Sequence, residues 1–320
     1  MARFGVMIGP EHGDSARKPA RMLDEVRWAE SAGMETAWIP QIPTDFDALI
    51  TVALMGTVTE RIELGTAVVP LQAQHPIALA RLAMSVHAAS NGRLALGVGP
   101  SHHWIVKDML GLPYEKPAAF TRDYLEVLNA AFAGTGSADV ENATFTVHNP
   151  LGLTPVKPLP VLVAALGPVM LRIAGEQADG TVLWLADERA IGDHIAPKIT
   201  KAAGSAGRPA PRIVAGIPIC LCRPADVEKA KARARRVLDE AEVSPNYQRL
   251  LDAGDAKDVS DIAAVGDEEM IAARLRRFID AGVTDVSARL LPIGDNRDEL
   301  VASKRRTREV YAQIAADLRK

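Results

Sequence analysis

Short apolar runs alternate with segments of helical periodicity along the whole chain. The first run, residues 4–8, stops at Gly9-Pro10, and after a loop Met22, Val26, Ala29 and Ala32 fall on one face of a helix opened by Pro19 and closed by Gly33. A buried strand followed by an amphipathic helix is the repeating unit of an α/β fold. Further strands are predicted at 35–40, 62–69, 94–98, 160–165, 180–185, 213–222 and 285–291, with helices at 46–58, 76–89, 120–132, 169–177, 191–203 and 298–318. Residues 134–160 read as an irregular excursion with one hairpin strand near 144–147, and helices at 225–241 and 245–251 form an insertion before a helix at 267–281. Eight strand candidates alternating with helices favour a closed (β/α)8 TIM barrel with insertion segments, one domain spanning 1–320, over an open sheet. The open dinucleotide-binding sheet also lacks its fingerprint, since Gly97-Val98-Gly99-Pro100 has no third glycine opening a helix.

The stretch 59–104 is the most informative, being a complete strand, crossover helix and strand. Within its first strand the apolar alternation slips one register between Leu64 and Val69 around Gly65, the sequence signature of a bulge. Its second strand ends in Gly99-Pro100-Ser101-His102, which offers backbone N–H groups, a hydroxyl and an imidazole at the carboxyl end of a parallel strand. Ala165-Leu166-Gly167 likewise runs straight into a helix and presents a helix N-terminus to an anion. Ordinary βα turns need the same small residues, so on residues alone the structural reading of both turns is the stronger.

Composition removes several function classes. With 320 residues, 48% hydrophobic and 24% charged, the chain can bury a large core. A net charge of -3 with bases scattered among acids gives no footprint for nucleic acid. No apolar run approaches the roughly 20 residues needed to cross a bilayer, and the first ten residues do not read as a signal peptide, so no membrane association and a cytoplasmic location are expected. Cys220 and Cys222 lie two apart in an apolar strand and read as buried core thiols, and no histidine spacing suggests a metal site.

Several motifs together resemble the luciferase-like monooxygenase superfamily, and within it the oxidoreductases that use the deazaflavin coenzyme F420. They are Ala29-Glu30-Ser31-Ala32-Gly33-Met34-Glu35 leading to Trp38-Ile39-Pro40, Thr59-Glu60-Arg61-Ile62-Glu63-Leu64-Gly65-Thr66-Ala67-Val68, His75-Pro76, Asn91-Gly92-Arg93-Leu94-Ala95-Leu96-Gly97-Val98-Gly99, and Ala174-Gly175-Glu176-Gln177-Ala178-Asp179-Gly180. The resemblance implies hydride transfer between the deazaflavin and a small organic substrate. Flavin-dependent members share most of these motifs, so FMN with a separate reductase is the alternative, and a non-catalytic cofactor-binding protein would carry them too.

The resemblance also implies that the third strand bulges at Ala67-Val68 through a non-prolyl cis peptide that props the cofactor ring. Cofactor contacts are thereby expected at Thr66, Ala67, Val68, Gly99, Ser101, His102, Ala165, Leu166, Gly167 and Trp184. Some relatives place an acid and a histidine after the second strand. Here that position reads Ile39-Pro40-Gln41-Ile42, so the sugar-phosphate chemistry of those relatives is not expected. The catalytic candidates are Gln41, His12 and Trp184, with Trp104 as a further lining residue, and each is equally a packing residue. The absence of charged residues recognised at strand ends points to a hydrophobic or conjugated substrate. The apolar helix at 46–58 and the small-residue helix at 77–89 point to a homodimer, as in the family.

Overall fold

A computed structural model describes residues 1–9, 14–238 and 245–320. His12 lies outside them. The first half of the chain forms β1 (Arg3–Met7), α1 (Lys18–Ser31), β2 (Thr36–Ile39), α2 (Ala48–Gly56), β3 (Glu63–Thr66), β4 (Val69–Pro70), α3 (Pro76–Ala89), β5 (Leu94–Gly99) and α4 (Pro117–Phe132). An antiparallel hairpin, β6 (Ser137–Glu141) and β7 (Thr146–Pro150), stands where one strand was expected. The second half continues with β8 (Val161–Val163), α5 (Pro168–Gln177), β9 (Gly180–Trp184), α6 (Ala196–Ser205) and β10 (Arg212–Leu221). After α7 (Val227–Leu238), α8 (Pro245–Ala253), α9 (Val259–Ile262) and the short β11 (Ala264–Gly266) come α10 (Glu268–Asp280), β12 (Asp285–Leu290) and α11 (Arg297–Leu318).

The strands pair in parallel in the order β1, β2, β3, β5, β8, β9, β10 and β12, and β12 pairs back onto β1. The result is a closed eight-stranded (β/α)8 barrel ringed by helices. All eight predicted strands are in the wall, with the third split into β3 and β4 by the bulge. β11 was not anticipated, because three residues are too few to show a period.

Helix boundaries follow local chemistry. The Asp47 side chain accepts the Ile50 N–H at 3.0 Å, so α2 starts after Phe46, not at it. His75 caps α3 through Nδ1, which accepts the Ile77 N–H at 3.2 Å, with Pro76 in the first turn. The helix expected at 191–203 begins instead as a wide π-helical turn over Ala190–Ile195 and becomes α-helical only at α6. Pro197 has no N–H to bond back into the preceding turn, which accounts for the change of winding there.

The amino-terminal end of the barrel is closed by charge. Arg212 donates to Glu63 at 2.7 Å and to Asp285 at 2.9 Å, and Arg3 pairs with the same two carboxylates. Above this plug the fully buried Trp38 lies among Ala95, Leu162, Val182 and Val214, its indole N–H donating to Thr36 Oγ1 at 3.0 Å. The motif residues Glu30 and Arg93 also work at this end. The Glu30 carboxylate accepts the N–H groups of Glu60, Arg61 and Ile62 at 3.0, 2.6 and 2.9 Å. Burial pushes its pKa up, and these three N–H groups outweigh that and hold it below the ordinary carboxylate range. The Arg93 guanidinium donates to Thr59 Oγ1 and to the carbonyls of Gly56, Thr59 and Ile62, all between 2.8 and 2.9 Å. Residues at this face of a barrel stabilise it, which leaves the opposite face for chemistry.

Candidate active site

The carboxyl ends of the strands form a mouth whose wall begins at the bulge. The peptide between Ala67 and Val68 is cis, as the resemblance implies. Residues 64–66 and 69 are buried, whereas Ala67 and Val68 are half-exposed and rest on the Trp38 layer of the barrel interior. Thr66 is fully buried. Its hydroxyl donates to the Gly97 carbonyl at 2.7 Å and accepts the Gly97 N–H at 2.9 Å, so it ties the bulge to β5 from behind.

The arc from β5 to β8 is lined by small groups. A Cβ at Gly99 would sit 2.9 Å from Ala164 and 3.0 Å from Val68, whereas one at Gly167 would meet nothing within 4 Å. Gly167 is the N-cap of α5, with Pro168 in its first turn and no side chain capping it. Ala165 is buried, which leaves its backbone alone for any ligand, while Leu166 is half-exposed. His194 fixes this arc from the next loop. Its Nδ1 accepts from the Lys198 ammonium at 2.7 Å, so Nε2 carries the proton and donates to the Leu166 carbonyl at 3.0 Å.

Two non-glycine residues at strand ends, Ser101 after β5 and Leu185 after β9, have left-handed φ values of 58° and 53°. Such conformations cluster where ligands are held. Tyr114 pins the first of them, its hydroxyl donating to the Ser101 carbonyl at 2.9 Å. His102 is half-buried and His103 exposed, so only the first of the two adjacent rings turns toward the mouth. The His102 ring stacks on Trp104 at 5.9 Å and meets Tyr247 of α8 at 5.8 Å. Burial first, and then the neighbouring His103, hold its pKa below the ordinary histidine value, so the ring is neutral at pH 7. The insertion therefore reaches the rim at Tyr247. It is held there partly by the ion pairs Arg189–Asp255 at 2.7 Å and Arg274–Glu188 at 2.8 Å, which join it and α10 to the loop after β9.

Gln41 stands at the rim after β2, but its Oε1 accepts the Ala48 N–H at 2.7 Å and thus supports the start of α2. Only its amide N–H groups remain for other partners. Trp184 lies at the end of β9, half-exposed, with Gly216 of β10 beside it. Across its ring lies a residue absent from the sequence expectations. The Arg289 guanidinium is 5.7 Å from the Trp184 ring centroid, at the end of β12. The mouth therefore does carry a charged strand end, and the expectation of a purely hydrophobic substrate loses its basis. The signal was present in Asp285-Val286-Ser287-Ala288-Arg289-Leu290, whose alternation puts the three polar residues on one face of the strand. Among the described residues no group of three or more His, Cys, Asp or Glu side chains forms a metal site, and no helix is long and apolar enough to cross a membrane.

A profile of the luciferase-like monooxygenase family matches residues 2–285. The chain belongs to this family. A Mycobacterium tuberculosis protein, provisionally named a coenzyme F420-dependent oxidoreductase, is 29% identical over 199 residues, a match covering 57% of this chain and about half, 55%, of that relative. The 5,10-methylenetetrahydromethanopterin reductase of Methanopyrus kandleri is 23% identical over 93% of this chain and 95% of its own. A solved structure of the coenzyme F420-dependent tetrahydromethanopterin reductase from that organism superposes with a TM-score of 0.77, covering 100% of this chain and 99% of that one at 20% identity. The oxygenating constituent of 3,6-diketocamphane monooxygenase from Pseudomonas putida, solved with FMN, superposes with a TM-score of 0.73 at 15% identity over 99% of both chains. Luciferase-like structures thus share the fold across both cofactor types.

Proposed function

We propose that this chain, read as one domain over residues 1–320, is an oxidoreductase that moves a hydride between coenzyme F420 and a small organic substrate. The observation that carries the reading is the mouth itself. Half-exposed Ala67 and Val68 form a wall between β3 and β4, and an arc lined mainly by small residues runs from Gly99 to Gly167, after the adjacent β5 and β8, and is open at Gly167. The deazaflavin supplies the hydride donor or acceptor when bound. Ala67 and Val68 support the ring. The backbone N–H groups around Ser101, His102 and the start of α5 bind the phosphate of the tail, where the helix N-terminus favours negative charge. Trp184 closes the far side, the neutral His102 is the group placed to hold or pass a proton, and the Gln41 amide N–H can donate a hydrogen bond to the substrate.

FMN remains the second reading, because an FMN-bound luciferase-like structure shares the fold and FMN brings a ring of the same outline with one phosphate. The longer tail of F420 needs an open path beyond that phosphate, and Gly167 stands in open space. Titration of both cofactors by fluorescence quenching, followed by mixing reduced F420 with candidate acceptors, separates the readings. F420 binding and oxidation are expected, with FMN weaker. Tight FMN binding without F420 binding would move the chain to the flavin monooxygenases, and F420 binding without turnover would make it a carrier. We also read the chain as a homodimer through α2, a cytoplasmic enzyme with neither nucleic acid nor membrane among its partners.

A further inference from the structure

The two ends of the arc from Ser101 to Gly167 are each held by a residue from another segment. At one end the His102 ring meets Tyr247 of α8 at 5.8 Å, and at the other His194 donates to the Leu166 carbonyl at 3.0 Å. His194 belongs to the π-helical turn after β9, whereas Tyr247 belongs to the insertion. Both segments are fastened to one side chain.

That side chain is Asp187, which is 4% exposed and accepts three backbone N–H groups. Its Oδ1 accepts from Ala190 at 2.8 Å and its carbonyl from Ile191 at 3.0 Å, so it caps the helical stretch that carries His194. Its Oδ2 accepts from Asp255 at 2.6 Å and from Ala256 at 2.9 Å, just after α8. A helix cap needs only the first oxygen. The second reaches a segment 68 and 69 positions further along the chain, which capping does not explain.

Gly254 shows how closely the insertion is seated. A Cβ there would collide with both oxygens of Asp187, and the backbone of Gly254 is not left-handed, so the close approach is what requires glycine. From this point α8 runs back to Tyr247 as one helix, with Tyr247 and Leu250 packed in the core. Holding the end of α8 therefore holds the Tyr247 ring. Hydrogen bonds from N–H groups to a buried carboxylate are strong, whereas the Arg189–Asp255 pair that also joins these segments is exposed by 57% and 75% and contributes little.

Building on the reading of this arc as the cofactor site, we propose that Asp187 is its positioning residue, one buried carboxylate that sets Tyr247 against His102 and the His194 turn against Leu166. The arc is thereby ordered before the phosphate arrives, and binding does not have to order it. Asp187 acts through these groups and not on the ligand.

The test separates positioning from mere stability. D187N keeps the shape of the side chain but turns an NH2 group toward one set of N–H donors. G254A leaves Asp187 in place and pushes the insertion off it, Y247L removes only the ring against His102, and R189M is the control for the exposed ion pair. The first readout is the NMR titration of His102 in protein with isotope-labelled histidine, assigned by the signal lost in H102Q. Burial holds the His102 pKa down, and Tyr247 is part of that cover. D187N, G254A and Y247L should each raise it toward the ordinary value of about 6.5, and R189M should leave it unchanged. The second readout is cofactor affinity by fluorescence quenching. F420 should bind about tenfold more weakly to D187N and G254A, the scale of ordering one or two side chains on binding instead of in advance.

A cap that served stability alone would lower the melting temperature and leave both readouts of the folded protein unchanged. An unshifted His102 in D187N and G254A, or F420 affinity equal to that of wild type in both, overturns the proposal, and G254A decides if D187N does not fold. Failure of the cofactor reading looks different. Wild type that binds neither F420 nor FMN, with His102 shifted in the variants, removes that reading and leaves Asp187 as the residue that orders the arc.

Discussion

Trp38 and Gly65 are partners across β2 and β3, and a Cβ on Gly65 would fall 2.2 Å from the Trp38 ring. The indole fills the barrel interior directly under the bulge, so the floor of the mouth depends on this missing side chain. Gly65→Ala forces the ring to move within a packed layer that also contains Ala95, Leu162, Val182 and Val214. Overpacking of this kind costs about 1–3 kcal/mol or more. Urea unfolding should show a clear loss for Gly65→Ala, and a variant as stable as wild type would mean that Trp38 repacks freely.

The wall of the barrel was readable because each strand is a short apolar run with a helix behind it. The slip in alternation around Gly65 fits an ordinary strand with a glycine as well as a bulge, and it was the family resemblance that pointed to a bulge at Ala67-Val68. What escaped were the features decided by distant residues. Nothing in the local sequence of α8 says that Tyr247 will meet His102, or that Gln41 will be engaged by the Ala48 N–H. Arg289 is a different case. It sits in an alternating polar and apolar strand, and in a closed barrel the polar face of such a strand points inward, so fold and alternation together would have placed it at the mouth.

The surface of α2 gives a second prediction. Ile50 and Leu54 are 54% and 46% exposed, with Phe46 at 41% just before the helix, a cluster of apolar residues on one side of the protein. Leu49, by contrast, is 1% exposed and belongs to the core, so it cannot report on association. Ile50→Glu and Leu54→Glu should shift the mass in light scattering from dimer to monomer while preserving the fold. Leu49→Glu should destabilise the protein in either state, because it buries a carboxylate. A dimer mass that survives both surface variants would place the interface elsewhere.

His87 gives a dependence on pH. It is fully buried in α3, and burial lowers its pKa despite the hydrogen bond between Nε2 and the Lys157 carbonyl at 3.2 Å, which acts in the opposite direction. A folded pKa below the unfolded one means that the folded state favours the neutral ring. This contribution is fully present above the ordinary histidine value of about 6.5 and is lost as pH falls from there through the folded pKa. Melting temperatures between about pH 7.5 and about pH 5.5 should therefore fall more steeply for wild type than for His87→Gln, which cannot titrate. Parallel curves would show that other groups carry the acid sensitivity.

Gly167 provides the most direct test of where the tail binds. Its φ of -87° is one that any residue adopts, and a Cβ there would meet nothing within 4 Å, so substitution should leave the fold intact. Gly167→Ala should melt with wild type and bind cofactor nearly as well. Gly167→Asp places a carboxylate at the start of α5, where the helix N-terminus would otherwise attract an anion. The new charge satisfies those N–H groups from within and repels the phosphate. Affinity for F420 should fall about tenfold or more, given that each such electrostatic contact is worth about 1 kcal/mol and the carboxylate both removes one and adds repulsion. FMN affinity, measured in parallel, should fall too if its phosphate uses the same turn. Equal melting temperatures for the two variants assign the loss to the site and not to the fold. An Asp variant that binds F420 as wild type does would move the phosphate away from α5, leaving Ser101 and His102 as its remaining contacts on this arc.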